Sequence, residues 1–293
     1  MRNLLMYLSV LILSVILVGC SNVNIESDKP QIYTSFYALY DFTKEIVGDN
    51  ADVYNMVPAG TEPHDWEPTV QDMSNINNAD VLFYNGLGME SWIDKVKSSL
   101  VDSEVRFEEL SLGVPVDENG TDPHIWLNPK NVEIMCKNIL DTLCEIDPDN
   151  KGIYEVNYNN YMVSLNSLDK SYSDTISNLY NRSIVVSHEA YNYLCNAYGL
   201  KQIAIDGISA DSEPSPDKMK DLINFVNENN IKYIFYEELL SQKTAEILAQ
   251  ETGTKLLQLN PFEGLTDEEM SRGENYISVM YENLENIKTA LVN

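Results

Sequence analysis

Apolar and polar positions along the chain follow two alternating periods. Short runs rich in β-branched and aromatic residues predict strands over 31–36, 52–57, 80–84 and 104–107. A second set falls at 183–187, 201–205, 231–236 and 255–259. Between them, apolar residues recur every three or four positions and predict helices over 37–48, 70–78, 89–99, 129–146, 189–198, 215–229, 242–252 and 267–291. Strand–helix alternation of this kind implies an α/β protein with parallel sheets covered by helices. The eight strands split into two groups of four around one unusual stretch. Tyr154, Tyr158, Met162, Leu165, Leu168, Tyr172, Ile176 and Leu179 are spaced by three or four throughout, with neither Gly nor Pro between them. A helix of that extent is about 39 Å long, and its single apolar stripe predicts a stiff spine packed along both halves. The expected organisation is an N-terminal lobe over 31–152, a linking helix over 153–182 and a C-terminal lobe over 183–293.

The first residues stand outside this pattern. Arg2 precedes an apolar run over 4–18, too short for a membrane span of about twenty residues and typical of a secretory signal. It closes on Leu17-Val18-Gly19-Cys20, which resembles a bacterial lipobox. This implies a signal peptide over 1–19, lipidation of Cys20 and a polar tether over 20–30. Cys136 and Cys144 share one predicted helix about 12 Å apart, beyond disulfide reach, and no C-x-x-C pair exists, so the remaining cysteines read as buried apolar residues. The formal net charge of −27 argues against nucleic acid and anionic membrane surfaces as partners and suits a cationic ligand.

Only three histidines occur in the 293 residues. His64 lies in the Pro-bearing loop 57–68, after the second strand, and His124 in Asp122-Pro123-His124-Ile125-Trp126-Leu127-Asn128-Pro129. His188 directly follows Ile184-Val185-Val186-Ser187. Ligands of open parallel sheets bind beyond the carboxyl ends of strands. Two of the histidines come from one lobe and one from the other, so they can meet only in the cleft between the lobes. Three imidazoles need a fourth donor to complete a zinc tetrahedron. Glu263 is the carboxylate nearest the end of the last strand, in Asn260-Pro261-Phe262-Glu263-Gly264. Trp66 and Trp126 each follow a histidine by two positions and are candidates for walling the site off from water. Glu62, Asp65, Asp122 and Asp206 are candidates for orienting the imidazoles. Asn85-Gly86-Leu87-Gly88-Met89-Glu90-Ser91 imitates a dinucleotide loop, but Ser91 replaces its third glycine. No phosphate-binding G-x-x-x-x-G-K-[ST] occurs, so any ATPase must be a separate polypeptide.

Taken together, GTEPHDWEP at 60–68, DPHIWLNP at 122–129, Ser187-His188 with Tyr193, Asn260 to Gly264, and Gly207-Ile208-Ser209 followed by Glu213-Pro214-Ser215 resemble the cluster A-I (cluster 9) metal-binding lipoproteins of bacterial ABC importers, typified by ZnuA- and AdcA-like zinc binders. The resemblance covers essentially the whole mature chain. It implies two α/β lobes bridged by one long helix, with His64, His124 and His188 as nitrogen ligands in the interlobe cleft and Glu263 as the fourth ligand. In the manganese-binding branch the third and fourth ligands resemble Glu and Asp; here those positions hold His188 and Asn260, which favours Zn²⁺. Asn260→Ala is accordingly expected to matter little. The His-rich loop of other zinc binders is absent between His64 and His124. The implied function is extracytoplasmic Zn²⁺ capture, one ion per chain, by a lipid-anchored monomer that delivers it to an ABC permease served by a separate ATPase. Manganese binding within the same family, a surface adhesin and a His₃-zinc hydrolase are the alternatives. A closed ligand shell argues against the hydrolase, because it leaves no position for a reactive water. Affinity is expected to fall below about pH 6.5, where imidazoles protonate.

Overall fold

The computed structural model describes residues 29–116, 120–208 and 214–292. The signal peptide, Cys20, nearly all of the tether, Ser209 and Glu213 lie outside them. Strands β1 (Gln31–Thr34), β2 (Asp52–Asn55), β3 (Val81–Tyr84) and β4 (Arg106–Glu109) form one parallel sheet in the order β2-β1-β3-β4. Strands β5 (Ser183–Val186), β6 (Lys201–Ala204), β7 (Tyr233–Tyr236) and β8 (Lys255–Gln258) form a second, in the matching order β6-β5-β7-β8. The strands are all parallel, but the order in which they are added reverses between the two central strands, opening a crevice at their carboxyl ends. In the second lobe that crevice lies between β5 and β7.

Helices α1 (Tyr37–Val47), α2 (Val70–Asn77), α3 (Ile93–Ser99) and α4 (Pro129–Ile146) belong to the first lobe. The spine follows as α5 (Lys151–Ser177). The second lobe carries α6 (Asn192–Tyr198), α7 (Pro216–Glu228), α8 (Lys243–Thr252), α9 (Asp267–Ser271) and α10 (Tyr276–Leu291). Local chemistry sets several helix starts. Asn128 caps α4 ahead of Pro129, Ser215 caps α7 ahead of Pro216, and Thr69 and Thr266 form reciprocal capping boxes with Asp72 and Glu269.

Helices α3 and α6 begin later than the expected 89 and 189, and three further elements depart from the sequence expectation. The stretch 267–291 is two helices, because Gly273 turns the backbone to φ 75° and Asn275 caps a new helix through the Ser278 N–H. Strand β4 lies two residues later than expected: Arg-Phe-Glu-Glu is a half-buried edge strand whose polar face hides its period. On α5 the buried stripe runs through Tyr154, Tyr161, Leu165, Leu168, Tyr172 and Ile176, with Tyr158 and Met162 on its flank.

That stripe packs against α1 and α4 on one side and α10 on the other, so one continuous apolar core crosses from lobe to lobe. Polar bonds stitch the seam. The Trp126 indole N–H donates to Pro261 O at 2.7 Å, Tyr276 O–H to Trp126 O at 2.7 Å, and the Tyr276 backbone N–H to Asp41 Oδ2 at 3.1 Å. Gly60 N–H donates to Leu265 O at 3.0 Å, tying the His64 loop to the opposite lobe. Trp126 is fully buried, so Trp126→Phe leaves Pro261 O without this donor. Urea unfolding is expected to show a loss of about 1–3 kcal/mol, and an unchanged midpoint would remove that bond from the seam's stability. Among the described residues no helix is long and apolar enough to cross a membrane.

Candidate metal centre

The four candidate donors arrive from four different loops, each leaving the carboxyl end of a strand. His64 follows β2, His124 follows β4 just before a short 3₁₀ turn (Ile125–Leu127), His188 lies two residues past β5, and Glu263 follows β8. The structure brings them to one point: one ligand atom from each lies within 4.8 Å of every other. His64 Nε2 is 3.2 Å from His124 Nε2, which is 3.3 Å from His188 Nε2. Glu263 Oε1 lies 3.0 Å from His124 Nε2, 3.4 Å from His188 Nε2 and 3.7 Å from His64 Nε2. Donors placed about 2.0–2.1 Å from a tetrahedral ion are about 3.3 Å apart. The separations therefore trace the edges of such a tetrahedron.

Burial sharpens the electrostatics. His124, His188 and Glu263 are almost completely buried, and only His64 keeps a sliver of exposure. Glu263 Oε1 has no conventional hydrogen-bond partner, and this buried carboxylate oxygen faces three ring nitrogens. An unpaired buried charge is costly, and a cation at the centre would satisfy it. Burial alone would raise the Glu263 pKa, but the imidazoles facing it outweigh this and hold it well below the usual carboxylate range.

The opposite ring nitrogens are held from behind. His124 Nδ1 lies 2.7 Å from Asp122 Oδ1, which also accepts the His124 backbone N–H at 3.0 Å. Asp122 Oδ2 accepts from Asn192 Nδ2 across the seam at 3.1 Å. His188 Nδ1 lies 2.9 Å from Glu237 Oε1. A carboxylate on Nδ1 fixes the ring's orientation and leaves Nε2 to face the ion. Burial would lower both histidine pKa values. The carboxylates prevail, raising His124 through Asp122 and Glu263, and His188, well above its ordinary value, through Glu237 and Glu263.

The remaining sequence candidates sit elsewhere. Glu62 reaches the backbone of His64 and not its ring, accepting its N–H at 3.0 Å, and burial next to Glu263 pushes its carboxyl up to about 7. Trp126 stands beside His124, ring centroids 5.3 Å apart, whereas Trp66 packs edge-on against Trp92. Asp65 is exposed, and Asp206 donates its backbone N–H to Ser187 O past the end of β6. Glu237 was missed, although a signal for it existed. It is the first residue after β7, the strand beside β5 at the switch point of the second sheet.

Two parallel α/β lobes on a rigid helical spine, with a closed nitrogen-rich donor set buried at their seam, define a solute-binding protein for a small cation. The match to the family described as "Zinc-uptake complex component A periplasmic" runs over residues 32–290, and the chain belongs to that family. It is thus a binding component and not an enzyme. It is 38% identical over 284 residues to the high-affinity zinc uptake system protein ZnuA of Bacillus subtilis (strain 168), covering 91% of this chain and 89% of that protein. It is 40% identical over 289 residues to the zinc-binding lipoprotein AdcA of Streptococcus pneumoniae (strain ATCC BAA-255 / R6), covering 93% of this chain but only 58% of that longer protein. The crystal structure of the Zn(II)-bound ZnuA-like domain of Streptococcus pneumoniae AdcA superposes with a TM-score of 0.81 at 40% identity, covering 90% of this chain and 99% of that domain.

Proposed function

We propose that the chain captures Zn²⁺ through His64, His124, His188 and Glu263 and hands it to the permease of an ABC importer powered by a separate ATPase. The observation that carries this reading is the tetrahedral spacing of three imidazole nitrogens around one buried carboxylate oxygen. Three nitrogens and one oxygen in a dry, closed shell suit zinc. Manganese is better served by more oxygen donors and a higher coordination number. The lobes 31–152 and 183–293 supply the two jaws, and the helix between them keeps their mouths aligned. Since the donors are buried on every side but that of His64, the ion leaves only when the seam parts. Thioether-linked lipid at Cys20, followed by the short polar tether, holds the protein at the extracytoplasmic face of the cell membrane, close to its permease. The similarity to zinc uptake proteins, among them the zinc-binding lipoprotein AdcA, supports this placement.

Competitive titration against a chromophoric chelator, with metal analysis of the purified protein, tests the assignment. One tightly held Zn²⁺ per chain and much weaker Mn²⁺ binding are expected. A preference for manganese would overturn it.

A further inference from the structure

Phe262 holds a backbone angle of φ 58°, in the left-handed region that a bulky aromatic residue adopts only under constraint. It directly precedes Glu263, so the local strain lies in the loop that delivers the carboxylate. Several contacts enforce it. The Phe262 ring is fully buried against the edges of Tyr37 and Tyr276, each with centroids 5.5 Å away. The Phe262 N–H donates to Asn260 Oδ1 at 2.8 Å, closing an Asx turn over Pro261. Asn260 is in turn clamped by one distant side chain. Asn283 Oδ1 accepts the Asn260 backbone N–H at 2.9 Å, and Asn283 Nδ2 donates to Asn260 O at 2.7 Å. One amide thus reads both the donor and the acceptor of a single peptide residue, and only this orientation of its oxygen and nitrogen does so.

Asn283 is conspicuous where it sits. It is 2% exposed in the middle of α10, among Met280, Leu284 and Ile287, which form an apolar face. A buried amide is retained at such a position only if its bonds are made, and here they are made to the root of the metal loop. We propose that Asn283 is a positioning residue for the metal centre: its two-point clamp on Asn260 fixes the strained turn at Phe262 and so aims Glu263 Oε1 at the three imidazoles. This rests on Glu263 being a zinc ligand, as read above. It also reverses the sequence-based expectation for Asn260, whose side chain is bonded into the turn and does not face the ion.

The test uses purified protein with Zn²⁺ in chelator competition and with Co²⁺ as a spectroscopic probe. Asn283→Leu removes both clamp bonds; Asn260→Ala leaves the clamp and removes the Asx bond together with the long Asn260 Nδ2 bond to Glu269 Oε1 at 3.3 Å. Each is expected to lower zinc affinity by about 10–100-fold, the usual cost of losing an outer support of a metal ligand, and to weaken the intense d–d bands of four-coordinate Co²⁺. In a Glu263→Ala background neither should lower affinity further, because the residue they aim is gone. Losses that add in that background, or variants that melt earlier yet bind Zn²⁺ and Co²⁺ as the parent does, overturn the positioning role alone. Parental affinity in Glu263→Ala itself would overturn the ligand set, and the positioning role with it.

Discussion

His124→Ala is expected to lower zinc affinity by about a thousandfold. His124 is the hub of the site, with its Nε2 3.2, 3.3 and 3.0 Å from the donor atoms of His64, His188 and Glu263. Its loss would remove one bond of the proposed zinc shell and also leave Asp122, 1% exposed, without its ring partner. Breaking a buried charged pair costs about 3–5 kcal/mol, and at about 1.4 kcal/mol per decade this corresponds to about 10²–10⁴ in affinity. His64→Ala should cost less. His64 is the most exposed of the three, and among the described residues no carboxylate holds its second ring nitrogen. Chelator competition on both variants reads the ranking directly. A smaller loss for His124→Ala than for His64→Ala would remove His124 from the centre of the shell.

How much of this architecture could be read from the chain depends on how local its cause is. The inner strands were visible as β-rich runs, because inner strands of a parallel sheet are buried on both faces and read as continuous apolar segments, as Val81–Tyr84 does. The Arg106–Glu109 edge strand was misplaced for the opposite reason. The spine was legible because an unbroken apolar stripe at helical spacing can be buried along one face only if the backbone stays helical throughout. The strand order β2-β1-β3-β4 was not, since periodicity says which face is buried and nothing about which strand lies alongside.

Scarcity and placement made the candidate cluster legible: three histidines in stiff or strand-end loops leave few alternatives, and Glu263 was the carboxylate nearest the end of β8. The groups behind the donors were harder to find. Asp122 was one of four equal candidates, and only the fold distinguishes it, by placing it against His124 Nδ1. Glu237 and Asn283 act across 49 and 23 residues of sequence, on His188 and Asn260 respectively. Pairings of that kind are properties of the folded topology, and no spacing rule along the chain encodes them.

Zinc binding should expel protons, and its pH dependence should set in higher than ordinary imidazoles would place it. His124 and His188 both titrate above the usual value of 6.5 because Asp122, Glu237 and Glu263 face them. Each proton on a ligating imidazole must leave before the ion binds. Affinity is therefore fully expressed only above the raised values and falls as pH drops through them, beginning above 6.5. Glu263, held well below the usual carboxylate range, carries no proton to lose. Exchanging one Zn²⁺ for about two protons leaves the buried centre's net charge unchanged, which suits a site closed to counterions. For the metal-free fold the sign runs the other way. Groups with raised pKa contribute stability that is present below about 6.5 and lost as pH climbs through the folded values, so zinc should raise the melting temperature more at high pH than at low. Calorimetry near pH 6.5 in buffers of different ionisation enthalpy should show about two protons released per ion. A heat independent of buffer, or an affinity flat from about pH 8 to 6.5, would mean that the carboxylates behind the imidazoles do not set their charge.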